Sequence, residues 1–156
     1  MGRRNLSRLV AVVALFLTLA PSAGAAIRWQ LLADGAASGS SVSTTTAFVA
    51  LSRSGANAQF SSRLTDRAES VLGRADFSRH VVVAIFGEFG CRDHRIAVTS
   101  IVRHGSRLAI GLTERRPRPG TVECMAIYQT YRLLSVPRAS LARPYPTRAV
   151  VSLARA

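Results

Sequence analysis

The stretch Asp76-Phe77-Ser78-Arg79-His80-Val81-Val82-Val83-Ala84-Ile85-Phe86-Gly87 decides how this chain folds. Residues 81–86 are six apolar side chains in a row. A strand with one wet face alternates apolar and polar residues. A strand without alternation is covered on both faces, which places residues 81–86 in the middle of a sheet. Gly87-Glu88-Phe89-Gly90 then reads as a turn leading to Cys91. It lacks the lysine and the following helix that a phosphate-binding loop needs.

Downstream, residues 95–103 and 107–113 form a predicted hairpin around His104-Gly105-Ser106, with Gly105 supplying the positive φ of a tight turn. Ile96, Val98, Ser100 and Val102 share one face of the first arm, and Leu108, Ile110 and Leu112 one face of the second. Residues 114–120, Glu-Arg-Arg-Pro-Arg-Pro-Gly, cannot be a central strand, because two prolines remove ladder donors. Arg115, Arg116 and Arg118 make this loop a candidate docking point for an acidic partner. Residues 125–136, with Tyr128 and Tyr131, return as a long strand that Pro137 stops. Past Pro144-Tyr145-Pro146, residues 149–153 are apolar enough to add an edge strand.

Upstream, residues 27–32 alternate Ile27, Trp29 and Leu31 with Arg28 and Gln30, a strand signal. Trp29 is placed over a core edge. Residues 34–43 are Gly, Ala and Ser with little else and read as a loop, and residues 44–51 as a strand. Residues 57–72 read as one helix capped by Asn57, with Phe60, Leu64, Ala68 and Val71 on its buried face and Gly73 at its C-terminal cap. The predicted fold is therefore α+β: a single antiparallel β-sheet of about five to seven strands, strongly twisted or partly barrel-like, with one helix packed on it.

The first 25 residues have the order of a secretory signal peptide: Arg3 and Arg4, an apolar run over residues 9–20, then Ala23-Gly24-Ala25. As a helix, twelve residues span about 18 Å, short of a bilayer core of roughly 30 Å. Cleavage after Ala25 would leave residues 26–156 as one soluble domain, secreted or periplasmic, with no membrane span. The Arg3-Arg4 pair is compatible with Sec or twin-arginine export.

All 21 basic residues are arginine; residues 26–156 carry eighteen of them against eight acids, a net of +10. Such a balance suits an anionic polymer, nucleic acid or acidic lipid. Arginine-favouring codons account for the missing lysines more directly, because a binding face has no reason to exclude lysine completely. Two cysteines in an exported chain predict a Cys91–Cys124 disulfide. The competing reading, a metal held by Cys91, Asp93 and His94, needs Cys124 and one further ligand, and exported thiols oxidise first. No metal or cofactor is expected.

No catalytic residue is assigned. His80, His94 and His104 all fall at turns, there is no Gly-x-Ser-x-Gly or His-Glu-x-x-His, and the eight acids are dispersed. A small hydrolase with a site assembled from loops stays open as an alternative.

Residues 76–138 resemble the C-terminal domain of the PrcB family, named for a subunit of a bacterial protease complex. The resemblance is carried by Asp76-Phe77-Ser78 leading into Val81 to Gly87, by the hairpin Ile96-Ala97-Val98 with Leu108-Ala109-Ile110, by the loop from Pro117 to Gly120, and by Tyr131-Arg132-Leu133-Leu134-Ser135-Val136-Pro137-Arg138. It departs at Cys91-Arg-Asp-His94, where many relatives have a Thr-Gly-Gly-Tyr-like turn. The resemblance implies a secreted, non-enzymatic module that associates with and stabilises an extracellular protease.

Overall fold

Strand β3 (His80–Gly90) is the middle of the molecule, as its unbroken apolar run requires. A computed structural model describes residues 25–38, 44–90, 95–115 and 127–155. Along its length β3 pairs antiparallel with β6 (Ile127–Pro137), from His80↔Pro137 to Gly90↔Ile127. On its other side it pairs with β2 (Thr46–Ala50). With β1 (Gln30–Ala36) outside β6, the four strands form one sheet in the order β1-β6-β3-β2. Residues 87–90 are thus the end of β3, not a turn.

The second sheet has the order β4-β5-β7. Here β4 (Arg95–His104) and β5 (Arg107–Arg115) form the expected hairpin, and Gly105 turns it with φ 59°. The C-terminal β7 (Arg148–Arg155) is the expected edge strand, but it lies parallel to β5. The mixed α+β class stands, with seven strands among the described residues, arranged in two sheets where one was expected.

Each of residues 81–86 of β3 has a place in one of two cores. Val81, Val83 and Ile85 point into the space between the sheets, where they meet Ile96, Val98, Ile101, Leu108, Ile110, Leu112, Leu134 and Val136. Val82, Ala84 and Phe86 point the other way, onto Phe60, Leu64, Ala68 and Leu72 of the helical layer. The layers are therefore helix, sheet, sheet. Trp29 packs against the inter-sheet core from its margin, as expected. The sandwich is partly closed at its sides: Ile27 donates its N–H to the Ile101 carbonyl of β4 at 2.8 Å, and Val49 of β2 shares the inter-sheet core with Val151 of β7.

Three local expectations change. The helix predicted over 57–72 is two short helices, α1 (Arg53–Gln59) and α2 (Asp66–Gly73). Phe60 leaves helical geometry at φ −151°, Ser61–Arg63 make one 3-10 turn, and Leu64 is extended. Hydroxyls cap both pieces: Ser52 accepts from the Gly55 N–H at 3.0 Å and Thr65 from the Ala68 N–H at 3.5 Å. Asn57 lies inside α1, and α2 ends at Arg74 in right-handed geometry without a left-handed glycine cap. The buried stripe is Phe60, Leu64, Ala68 and Leu72, with Val71 half-buried beside it.

On β4 a bulge between Val98 and Ser100 shifts the inward phase by one residue. Ile101 is buried where Ser100 and Val102 were expected to continue the face. The partner strand has Gly111 opposite the bulge. A Cβ there would lie 2.5 Å from Ser100 Oγ and 3.0 Å from Thr99 Oγ1.

Finally, β1 begins three residues late and runs through Asp34, Gly35 and Ala36, which read as loop. Its pairing with β6 is a backbone ladder, and Gly35 suits it because the Tyr131 hydroxyl lies 3.2 Å from where a Cβ would sit.

Candidate functional site

Of the residues expected to bind, Arg115 ends β5 opposite Arg95, while Arg116 and Arg118 lie outside the described residues. Cys91, Cys124, Asp93 and His94 also lie outside them. The basic surface that the structure does bring together is at the other end of β5.

At that end five chain segments meet. β2 finishes at Ala50, β3 starts at His80, β6 finishes at Pro137, the β4–β5 hairpin turns at Gly105, and β7 starts at Arg148. The connection from β6 to β7, residues 138–147, crosses this end. It must satisfy its own backbone, since it belongs to no ladder. The Arg138 N–H bonds the Arg79 carbonyl at 2.8 Å, and the Thr147 N–H bonds the Ser106 carbonyl at 3.3 Å.

Two arginines hold the connection in place. Arg103 donates Nε to the Gly105 carbonyl at 2.7 Å, Nη2 to the Pro144 carbonyl at 2.9 Å, and Nη1 to the Ala142 carbonyl. Arg138 donates Nη2 to the Leu51 carbonyl at 2.5 Å and Nε to the His80 carbonyl at 3.4 Å. A planar fork with five fixed donors is well made for tying several carbonyls at once; an ammonium is not.

Tyr145 is the centre of the group. Its ring packs on the margin of the inter-sheet core. The Arg138 guanidinium lies 4.6 Å from the ring centroid and that of Arg143 5.5 Å. The neighbouring guanidiniums, Arg143 foremost and then Arg138, hold the Tyr145 hydroxyl below the usual phenol range, outweighing the opposing effect of desolvation. Arg79, Arg107, Arg143 and Arg148 are exposed around it. His104 is exposed at the hairpin tip, as expected, and His80 is half-buried. The acid nearest in sequence, Asp76, accepts bonds from the Ser78 N–H at 2.9 Å and Ser78 Oγ at 2.5 Å. The Ser78 hydroxyl bond is the main reason its carboxyl is held below the ordinary carboxylate value.

The arrangement separates two kinds of arginine. Arg103, bonded to three carbonyls, and Arg138, bonded to two, shape the end. The four exposed ones add their charges over one surface, where mutual repulsion is tolerated because dissolved salt screens it over about 8 Å. Sequence reading noted Pro144-Tyr145-Pro146 only as tail. The usable signal was the arginine on each side of it, Arg143 and Arg148, together with Pro137-Arg138 at the end of a buried strand.

Arg138→Ala should lower stability by about 2 kcal/mol, since it leaves two carbonyls without their charged donor and removes a cation–π contact. Arg138→Lys should recover less than half of that, because one ammonium cannot span both carbonyls. Urea unfolding of the two variants checks this; equal stability of Arg138→Lys and wild type would contradict it.

No family model, curated protein or solved structure matches the chain.

Proposed function

We propose that the protein is an exported, non-enzymatic binding module that docks its arginine-bearing end on an acidic partner surface. The observation that carries this is the grouping of Arg79, Arg107, Arg143 and Arg148, all exposed, around a connection already braced by Arg103 and Arg138. The bracing matters. Charges on a preformed surface lose less entropy on docking than charges on an unbraced loop. The PrcB resemblance over residues 76–138 supplies the partner class, an extracellular protease that the module stabilises. The same four guanidiniums favour a second reading, an anionic polymer, because they would neutralise its phosphates or carboxylates equally well.

Exposed charge pairs are worth about 0.2–1 kcal/mol each. Replacing all four arginines by serine should therefore weaken binding by about 2 kcal/mol, roughly thirtyfold. Affinity capture from culture supernatant, with wild type and the fourfold variant as bait, tests the reading. A secreted protease retained by the wild type and lost by the variant is the expected result. Retention of the same protein by both baits would remove the arginine end from the interface. Recovery of only an acidic polymer would select the second reading.

A further inference from the structure

We infer that Tyr145, Arg138 and Arg143 form a receptor for a single carboxylate, so that one aspartate or glutamate side chain of the partner is anchored at this point. The inference rests on the docking surface proposed above and names the contact within it.

Donor accounting supports the assignment. Of the five N–H groups on Arg138, the His80 and Leu51 carbonyls take two. Arg143 donates to no backbone carbonyl among the described residues. Both guanidiniums lie within 5.5 Å of the Tyr145 ring centroid, and both hold its hydroxyl below the usual phenol range. The positive charge of two nearby guanidiniums makes the phenol O–H a stronger donor. The planar forks and the hydroxyl suit a planar carboxylate, which takes one bidentate guanidinium and a further donor on its second oxygen. The geometry is held in advance: Arg103 fixes the carbonyls of Ala142 and Pro144 just before the tyrosine, and Thr147 is bonded to Ser106 just after it. The ring itself is wedged on the core margin. Such a hydroxyl has no role in docking by diffuse charge alone, and this separates the receptor from the broader reading.

The test uses poly-glutamate as probe, with inorganic polyphosphate as comparator at the same ionic strength, and three single variants of the full mature chain. Tyr145→Phe removes only the hydroxyl and keeps the ring. Arg143→Ser removes one fork. Arg67→Ser removes an exposed charge from α2 in the helical layer. Tyr145→Phe and Arg143→Ser should each weaken poly-glutamate binding about fivefold or more, with Arg67→Ser within twofold of wild type. In the wild type, the Tyr145 ring carbon resonance next to the hydroxyl should move as poly-glutamate is added, a readout that needs no variant to fold. If Tyr145→Phe binds like Arg67→Ser while Arg143→Ser is weaker, the receptor is overturned and docking by charge survives. If polyphosphate binds more tightly than poly-glutamate with the same sensitivity to Tyr145→Phe, the carboxylate assignment is overturned. If the wild type does not bind poly-glutamate, or binds it regardless of all four exposed arginines, the receptor and the docking surface fall together.

Discussion

Phe60→Ala should cost about 3–5 kcal/mol and lower the thermal midpoint by roughly 10–15 °C. Phe60 is fully buried, although it sits at the break between the two helices. Its ring centroid lies 6.3 Å from that of Phe48 and 6.4 Å from that of Phe86, and Phe48 meets Phe86 edge-on at 6.0 Å. Arg63 closes the cluster from outside, 5.3 Å from the Phe48 centroid and 5.6 Å from that of Phe86. Deleting the ring would leave a cavity between sheet and helical layer. The same change at Phe48, which is only half-buried, should cost less than half as much. Chemical denaturation of both variants checks the ranking. A smaller loss at Phe60 than at Phe48 would contradict the layer order.

Breaking the proposed Cys91–Cys124 bridge should cost roughly 3.5–4 kcal/mol in the chain-entropy model for a closed loop of about 33 residues. That is a large share of the 5–15 kcal/mol by which a domain of this size is usually stable. Both cysteines lie outside the described residues. Gly90 opposes Ile127 at the end of the ladder, so one cysteine lies one residue beyond the paired end and the other three residues before it. The stabilisation acts on the unfolded chain, by denying it open conformations of residues 91–124. It should therefore appear as an earlier denaturant midpoint for the Cys91→Ser, Cys124→Ser double variant and for reduced wild type alike. If the protein is exported as proposed, mass spectrometry should find the pair oxidised. Two free thiols would contradict the pairing and reopen metal ligation at Cys91 and His94.

The elements whose signal is local were legible in the sequence. The unalternating Val81 to Phe86 announced a strand covered on both faces, Gly105 announced its turn, and residues 149–153 announced an edge strand. What was not legible depends on partners distant in sequence. A period-two pattern says that a face is buried but not which sheet buries it, so two sheets read as one. A bulge resets the period, and Ile101 could not be told from Ser100 without the β5 strand opposite. The helix break keeps the four-residue spacing of its buried side chains, so Phe60, Leu64 and Ala68 read as one continuous stripe. β1 through Gly35 has poor strand propensity and is held by β6. The arginine-bearing end was hidden for the same reason. Arg79, Arg103, Arg107, Arg138, Arg143 and Arg148 are dispersed over seventy positions, and only the meeting of strand ends gathers them. The dense local run at Arg115, Arg116 and Arg118 drew the sequence reading to the opposite end of β5.

The most direct test of the proposed docking surface is amide hydrogen exchange of residues 26–156, alone and with a partner captured as proposed above. Added protection should gather on residues 79–80, 103–107 and 138–148, with no change across α1 and α2. Protection confined to the helical layer, or to the β5 end at residue 115, would place the interface elsewhere and contradict the account.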